Sequence, residues 1–341
     1  MIDPGLFSPE GVYLNTATYG LPPTAAVEAM REGVGRWRRG IATMAEYDAA
    51  VAASRRSFAT IVGADPERVA VASQASVFAG LVANSLPPQS HVLLPSGEFT
   101  SLLFPFLVQR HVTVTEAPFF ELADAVDDTV DAVAFSLVRS NDGAVADSDR
   151  IVSAARRVGA RIVVDATQAA GWLPFDPGQF DFTIVSGYKW LLCPRGTAFA
   201  VVGSSDLDPV PVFAGWYAGE DPWASTYGSP LRLAASARRY DLSPAWLAWV
   251  GAQHALELIA SVGVEPIHAH DVELAARVRS ELGQPETGSA MVTFDLDDPS
   301  VLARHGIASA VRAGSVRVGF HLYNTDDDVD RLLDVISPGP A

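Results

Sequence analysis

Seven short apolar segments between residues 69 and 202 most constrain how this 341-residue chain can fold. They are rich in valine and isoleucine and lack polar alternation, which is typical of strands covered on both faces. The predicted strands are 69–73, 91–95, 111–115, 132–137, 161–165, 182–187 and 198–202. Helical patterns lie between several of them, at 76–86, 100–109 and 147–158. This order predicts an α/β fold whose mostly parallel central sheet is sandwiched by helices.

The flanking segments follow other patterns. Residues 24–63 have apolar positions at helical spacing, and the tail from residue 245 alternates predicted helices and strands. That tail predicts a smaller C-terminal α+β domain. Residues 203–244 are rich in Gly, Pro, Trp and Tyr and indicate a long ordered connection, a type of segment that often carries function. The expected domains are a large one over 15–245 and a small one formed by 1–14 and 246–341.

The composition excludes several classes of protein. Apolar residues make up 49% of the chain and charged residues 19%, which is too apolar for disorder. The formal net charge of -16 argues against nucleic acid or an anionic membrane as a partner. A single cysteine, Cys193, permits no internal disulfide and no structural zinc set, so we expect no metal. The N-terminus does not resemble a signal peptide, and no apolar run is long enough for a membrane span, so a cytoplasmic protein is expected.

Two strand ends carry residues that can do chemistry together. Asp165 ends the segment RIVVD, with Gln168 three residues later, and Lys189 follows the next predicted strand in SGYKWL. Because ligands bind at the carboxyl ends of parallel strands, an acid and a lysine there point into one crevice. Apolar neighbours surround Lys189, and desolvation lowers the pKa of a lysine and makes its amine nucleophilic, as Schiff-base chemistry requires.

The pair of motifs VDATQ and SGYKW, at this separation, resembles the class V aminotransferase family of fold-type I pyridoxal 5'-phosphate (PLP) enzymes. That group includes cysteine desulfurases, kynureninase and isopenicillin-N-epimerase-like proteins. The resemblance extends from YLNTATYG, near residue 13, to HLYNTDDDVDRL, near residue 332, and so covers nearly the whole chain. It implies a fold-type I PLP transferase fold, PLP as cofactor, an α-amino acid as substrate, and a homodimer with shared active sites.

The resemblance also implies roles around the cofactor ring. Lys189 would form the Schiff base with PLP and later move the Cα proton. Asp165 would pair with the protonated pyridine nitrogen, which keeps the ring an electron sink. Gln168 would hydrogen bond the ring's 3'-oxygen. Phe99, in SGEFTS, stands where many relatives place a stacking His, and would stack on the ring without a proton-transfer role.

By the same resemblance, several donors would bind the phosphate. Ala75 and Ser76 lie in SQAS, which follows a strand and opens a helix, where free backbone N–H groups favour an anion. Ser186 and Tyr188 flank the lysine turn, and a phenol at Tyr188 can donate as the more common His does. Ser243, in RRYDLSPAW, matches a segment that reaches the phosphate from the partner subunit.

The substrate end of the site is expected near the C-terminal motif VRVGFHLYNT. Its Arg317 matches the arginine that grips the α-carboxylate in the family. Asn15 and Thr16, in YLNTATYG, would line the same end of the pocket. Ser140 stands where desulfurases carry an Asn, and its role stays open. Ordinary structural roles are the alternatives: a core Phe99, an ion-paired Arg317, or Ser76 as a simple helix cap.

The position of the single cysteine narrows the chemistry. Desulfurases of the family carry a catalytic cysteine on a loop just before the segment that matches Arg317, whereas here that region, GIASAVRAGSVRVG, contains none. Cys193 follows Lys189 by four residues and is interpreted as structural. A persulfide cannot form without a thiolate within reach, so a cysteine-persulfide desulfurase is disfavoured.

The sequence favours a PLP enzyme that cleaves a Cβ–X bond of an α-amino acid, for example a C–S bond. Three outcomes diverge once the Cα proton is removed: loss of a β-substituent, transfer of the amino group, or return of the proton to the opposite face. Aminotransferase and epimerase therefore remain alternatives. A catalytically degenerate relative that serves as an interaction protein is a further one, and the intact lysine, acid and phosphate site argue against it.

Overall fold

The computed structural model describes residues 4–203 and 207–336. Within these residues the chain forms twelve β-strands and nine α-helices. The strands are β1 (Val12–Tyr13), β2 (Val69–Ala72), β3 (Ser90–Pro95), β4 (Val112–Ala117), β5 (Ala132–Ser136), β6 (Arg161–Asp165), β7 (Phe182–Ser186), β8 (Ala198–Val202), β9 (Met291–Phe294), β10 (Ile307–Ala308), β11 (Ala310–Arg312) and β12 (Ser315–Gly319). The α-helices are α1 (Thr24–Arg38), α2 (Met44–Val62), α3 (Ala75–Ser85), α4 (Thr100–Leu107), α5 (Ser148–Val158), α6 (Trp246–Val262), α7 (Val264–Glu281), α8 (Ser300–Arg304) and α9 (Asp326–Ile336).

The central sheet confirms the predicted α/β fold. Its seven strands lie in the order β2-β8-β7-β6-β5-β3-β4, and β8 runs in the direction opposite to the other six. Every residue of β2, β5 and β7 is buried, because helices cover both faces of the sheet. The edge strand β4 alternates half-buried and exposed residues over most of its length. The carboxyl ends of β3, β5, β6 and β7 therefore meet at one edge, where a ligand site is expected.

The predicted helical region 24–63 is two helices, because the segment between α1 and α2 provides a start signal for the second one. Thr43 accepts a hydrogen bond from the Glu46 backbone N–H, and the Glu46 side chain accepts one from the Thr43 N–H. This capping box satisfies N–H groups that a helix start otherwise leaves unpaired. Gly63 ends α2 in the left-handed conformation, at φ 69°, as its position in the sequence predicts.

A smaller sheet lies near the C-terminus. Its strands are antiparallel in the order β11-β12-β9, and α7 and α9 pack near it. The N-terminal segment joins this region, since β1 pairs in parallel with β10 and Asn15 forms a bridge with Gly319. Val12 and Leu14 share a core cluster with Val318 for the same reason. The expected division into two domains, with boundaries at residues 14 and 245, stays a prediction. Residues 1–3 and 337–341 of the expected small domain lie outside the described residues.

The connection after β8 contains short 3-10 turns at Trp216–Ala218 and Ala237–Tyr240 but no longer element within 207–244. Its residues 204–206 lie outside the described part of the chain. No single helix within 4–203 and 207–336 is long and apolar enough to cross a membrane. The bent pair α6 and α7, at 85°, passes that test only when the two helices are taken together.

Candidate active site

Asp165 and Lys189 come together at the carboxyl edge of the central sheet. Asp165 is the last residue of β6, and Lys189 lies in the turn that follows β7. These strands are parallel neighbours, with Asp165 paired to Ile184, so both side chains enter the same crevice. Both are buried, at 5% and 6% exposure, although charged side chains are almost never buried without a reason.

Burial sets the protonation of Lys189. Loss of water around the amine lowers its pKa, Asp165 raises it, and the positive charges of Arg317, Arg312 and Arg195 lower it, which together bring it to about 8. At pH 7 about one such amine in ten is neutral, against fewer than about one in a thousand for an ordinary lysine. The Lys189 Nζ lies 5.2 Å from the centre of the Phe99 ring. The site therefore holds a nucleophilic amine against an aromatic face.

Asp165 retains capacity for a ligand. Thr167 supplies its hydrogen bonds within the described part of the chain, and the Thr167 N–H donates to Oδ1 at 2.8 Å. Burial raises the pKa of this carboxyl, and the hydrogen bonds from Thr167 and the charge of Lys189 lower it. A desolvated carboxyl with few fixed donors is suited to a cationic N–H partner.

The Gln168 amide is held in one orientation. Its Oε1 accepts the Trp190 indole N–H at 2.7 Å, and its Nε2 donates to the Ala17 carbonyl at 2.9 Å. Nε2 also lies 3.4 Å from the Ser140 hydroxyl. Because an indole N–H can only donate, Trp190 fixes which end of the amide faces it. Sequence reasoning missed Trp190, although it directly follows Lys189.

One cavity at the carboxyl edge of the sheet connects these groups. Its lining residues are Ala75, Phe99, Ser101, Ser136, Ser140, Asp165, Thr167, Gln168, Ser186, Tyr188 and Lys189. Seven of the twelve residues proposed from the sequence thus line one cavity, as does Ser140.

One end of the cavity is suited to an anion. Ala75 begins α3, and Gln74 before it makes no side-chain capping bond, so the first N–H groups of an 11-residue helix are left for a ligand. Ser76 lies in the same first turn and is half-buried. Ser186 and Tyr188 line the cavity with Ala75, and burial raises the pKa of the Tyr188 phenol, which keeps it a hydrogen-bond donor.

Arg317 lies beside the cavity rather than in its lining. It is 2% exposed, and it donates to the Ser140 carbonyl and, at 2.8 Å, to the Thr18 hydroxyl. Burial and the charge of Arg312 lower its pKa to about 10, so the guanidinium stays charged at neutral pH. Asn15 lies nearby through its bridge to Gly319, and its buried Oδ1 has no hydrogen-bond partner among the described residues.

Three further residues proposed from the sequence also lie outside the lining of this cavity. Ser76 lies one residue beyond Ala75, and Thr16 is fully buried, where its hydroxyl shares a hydrogen bond with Tyr323. Ser243 is exposed, at the end of a segment that Asp241 anchors to Val71. Its expected contribution to a partner subunit therefore stays a prediction.

Glu98 is a second residue that sequence reasoning missed. Its carboxyl is buried and accepts hydrogen bonds from the Phe99 N–H at 2.6 Å and the Ser136 hydroxyl at 2.7 Å. These bonds tie the end of β3 to the end of β5 and hold the Phe99 backbone. Burial and the negative charge of Asp165 raise the pKa of Glu98. The signal available was an acid directly before Phe99 at a strand end.

Cys193 and the hairpin before Arg317 carry no accessible thiol. The Cys193 sulfur is buried, lies 3.3 Å from the Leu191 carbonyl, and burial raises its pKa, so the thiolate is disfavoured. The segment from β11 to β12 is a tight turn around Ala313 and Gly314. No group of three or more His, Cys, Asp or Glu that could hold a metal occurs within residues 4–203 and 207–336.

Comparisons with known proteins agree with this arrangement. The family model for aminotransferase class V matches residues 12–301. Isopenicillin N epimerase of Streptomyces clavuligerus is 27% identical over 97% of this chain and 95% of its own length. A probable cysteine desulfurase of Streptomyces coelicolor is 26% identical over 95% of this chain and 90% of its own.

Solved structures show the same fold at lower identity. Apo cysteine desulfurase from Thermococcus onnurineus NA1 superposes with a TM-score of 0.82 at 21% identity, covering 96% of this chain and 94% of that one. The cystine C–S lyase C-DES, in complex with cysteine persulfide, has a TM-score of 0.84 at 21% identity, covering 95% and 96%.

Proposed function

Because the chain belongs to the class V aminotransferase family of PLP-dependent enzymes, we propose that it cleaves a Cβ–X bond, for example a C–S bond, of an α-amino acid. The observation that carries this proposal is the buried Lys189 amine, whose pKa of about 8 lets it act as nucleophile and base near neutral pH. Lys189 is also the only lysine of the chain. No other side chain therefore competes for the aldehyde of the cofactor.

The residues present fit PLP. The cofactor has an aldehyde, a pyridine nitrogen and a phosphate, and the cavity offers an amine, a buried carboxyl and the open N-terminus of α3. When bound, PLP supplies an electron sink that stabilises negative charge at the substrate's Cα. Lys189 holds the cofactor, Asp165 pairs with the ring nitrogen, and Gln168 faces the ring oxygen.

Phe99 covers one face of the ring, since its side chain already lies against the Lys189 amine. Ala75, Ser76, Ser186 and Tyr188 hold the phosphate. Ser243, which is exposed at the end of the segment that Asp241 anchors, reaches the phosphate of a partner subunit in a homodimer.

Lys189 moves the Cα proton while Arg317 holds the α-carboxylate. The guanidinium of Arg317 is buried and bonded only to a carbonyl and a hydroxyl within the described residues, so a carboxylate would be its first anionic partner. Asn15, whose buried Oδ1 has no hydrogen-bond partner among the described residues, and Thr16 lie behind this end of the site, outside the cavity lining. A buried carboxylate site of this kind orients Cα toward the lysine amine and excludes water.

Elimination is favoured over epimerisation because the described lining offers one basic group at neutral pH. Returning a proton to the opposite face of Cα requires a second group, and Tyr188 is the titratable residue of the lining besides Lys189 and Asp165. Its raised pKa keeps the phenol protonated near neutral pH, so it could donate a proton to Cα but could not remove one from the opposite epimer. A persulfide on a cysteine of the protein is disfavoured because Cys193 is buried and the hairpin before Arg317 contains no cysteine.

Epimerisation is the second candidate, and the similarity to isopenicillin N epimerase over 97% of the chain favours it. Aminotransfer is the third, since it needs the same lysine, acid and carboxylate site.

Trapping of the cofactor tests the attachment. The protein is incubated with PLP, reduced with borohydride and digested, and the label is located by mass spectrometry. We expect a visible absorption band before reduction and a single labelled peptide at Lys189. Lys189→Arg is the matched control that keeps a cation in place. A label on the N-terminal amine alone, or an absorption band that survives in Lys189→Arg, would show that PLP is not attached to Lys189.

A substrate panel tests the reaction class. Amino acids with and without a β-leaving group are incubated in deuterated water, and the products are scored as pyruvate, keto-acid exchange, or loss of chirality at Cα. Pyruvate from the β-substituted members supports Cβ–X cleavage. Exchange or loss of chirality without pyruvate would replace it by aminotransfer or epimerisation.

A further inference from the structure

Two arginines flank one hydroxyl at the substrate end of the site. Arg317 donates to the Thr18 hydroxyl at 2.8 Å, and Arg312 donates to the same oxygen at 3.2 Å. The two residues sit on the antiparallel strands β12 and β11, where the turn at 313–314 brings them back toward each other. Like charges held this close repel, unless an anion lies between or beside them.

The protein provides no such anion within residues 4–203 and 207–336. Neither Arg312 nor Arg317 forms an ion pair with a carboxylate there, and their acceptors are a hydroxyl and backbone carbonyls. Arg277, by contrast, pairs with both Asp326 and Asp330. What sets Arg312 and Arg317 apart is that both donate to one oxygen, the Thr18 hydroxyl, beside the site.

Three arginines act on Lys189 through their charge: Arg317, Arg312 and Arg195. The substrate carboxylate and the cofactor phosphate of the proposed function provide anions for two of them and leave the third without one. The α-carboxylate of the substrate accounts for Arg317. Arg195, whose guanidinium carbon lies 4.8 Å from the centre of the Tyr188 ring, is on the side proposed for the phosphate. Arg312 is exposed, on the same side as Arg317, and has no anion assigned to it.

We propose that Arg312 binds a second anionic group on the substrate, so that the substrate is an α-amino acid whose side chain ends in a carboxylate or a comparable anion. This inference rests on the proposed function for the placement of the α-carboxylate. Arg317 fixes the carboxylate at Cα, and Arg312 selects the charged end of the side chain. A guanidinium suits this role because it binds planar anions through two parallel hydrogen bonds.

The test compares acidic amino acids with their amides. L-Aspartate against L-asparagine, and L-glutamate against L-glutamine, are titrated into the PLP-loaded enzyme, and the dissociation constant is read from the change in the cofactor's absorption. We expect the acids to bind about tenfold more tightly than the amides, since hydrogen bonds to charged groups stabilise a complex by roughly this factor or more. Arg312→Gln removes that preference and changes amide binding less than about twofold. Arg304→Gln, an exposed arginine paired with Asp298, is the matched control and keeps the preference.

Two results would overturn the inference. One is equal binding of acids and amides by the unaltered enzyme. The other is an equal loss of both in Arg312→Gln, which would place Arg312 on the α-carboxylate together with Arg317.

A second readout separates this inference from the proposed function. Glutarate and butyrate are compared by thermal shift on the protein without cofactor, where no PLP chemistry is involved. We expect glutarate to stabilise the unaltered protein more than butyrate does, and Arg312→Gln to lose that difference. Preserved discrimination in Arg312→Gln counts against the second anion site, even if the cofactor assignment holds. Failure of PLP attachment alone leaves this comparison intact.

Discussion

Asp165 and Asp241 are two buried carboxylates in one protein, and they differ in how many donors the fold gives them. Asp241 is fully buried and accepts hydrogen bonds from Arg55 at 2.6 and 3.3 Å and from the Val71 N–H at 2.8 Å. Asp165 is buried to nearly the same degree but takes its hydrogen bonds from Thr167. Burial raises the pKa of both carboxyls.

The difference shows how one residue type can either stabilise the fold, which we call a framework role, or take part in chemistry. A buried charge costs free energy unless hydrogen bonds and an opposite charge compensate it. Asp241 receives that compensation inside the fold, where it joins α2, β2 and the segment before Ser243. Asp165 faces the cavity with Lys189 as its opposite charge, so its compensation is incomplete until a ligand arrives. Four predictions test this distinction.

The largest expected effect is on stability, at Asp241. Asp241→Ala leaves Arg55 as an unpaired charge in the interior, which destabilises a protein by about 3–5 kcal/mol. The free energy of unfolding from urea titration measures it. A double variant, Arg55→Met with Asp241→Leu, removes both charges and should recover most of the loss. A loss below about 1 kcal/mol in the single variant would show that the Asp241 pair does not belong to the framework.

Asp165 should show the reverse pattern. Asp165→Asn keeps the shape but removes the charge, and we expect turnover of the PLP-loaded enzyme to fall about 10²–10³-fold, as for other losses of a preorganised electrostatic group. The free energy of unfolding of the cofactor-free protein should not fall, because a poorly compensated charge has been removed. Steady-state kinetics and urea titration are the two measurements. If Asp165→Asn were fully active but less stable, Asp165 would have the same structural role as Asp241 and the proposed difference between them would be wrong.

Gln168 shares a feature with each of the two carboxylates. Like Asp241 it is held by hydrogen bonds from the fold, and like Asp165 it lines the cavity. Trp190→Phe removes the indole donor and leaves Oε1 free to turn. We expect the affinity for PLP to fall about fivefold to tenfold, the effect of one hydrogen bond. Equilibrium dialysis of PLP measures it. Trp249→Phe, a change at another fully buried tryptophan, controls for lost volume, and equal effects in both variants would contradict the role given to Trp190.

The central sheet could be predicted because its signal is local. All seven of its strands appear within two residues of the expected bounds, since each is a compact apolar run. The antiparallel direction of β8 and the short strands β1, β10 and β11 could not be predicted. A strand of two or three residues carries too little pattern, and direction depends on how the chain returns to the sheet.

The site divides in the same way. Asp165 and Lys189 could be found because strand ends and motif spacing mark them. Glu98 bonds Ser136, 38 residues away, and Arg317 bonds Thr18, 299 residues away. Contacts over such separations leave no periodic trace in the sequence, so Glu98 and Thr18, which hold the site residues in place, appear only in the folded chain.

The smallest expected effect is a change in the pH dependence of PLP capture by Lys189. The direction of the change differs between variants of the two charged neighbours, Arg317 and Asp165. The amine reacts when neutral, so the rate at which the cofactor-free protein captures PLP should rise with pH, with a midpoint at about 8. Arg317 lowers the pKa of Lys189, so Arg317→Gln should move the midpoint of this profile up by less than about one unit. Asp165 raises that pKa, and Asp165→Asn should therefore move the midpoint down. Stopped-flow absorbance over pH 6 to 10 measures both, and because the chain has a single lysine the profile reports one side chain. Shifts in the same direction would mean that Asp165 does not act on Lys189 as a charge, and Asp165 would then be framework like Asp241.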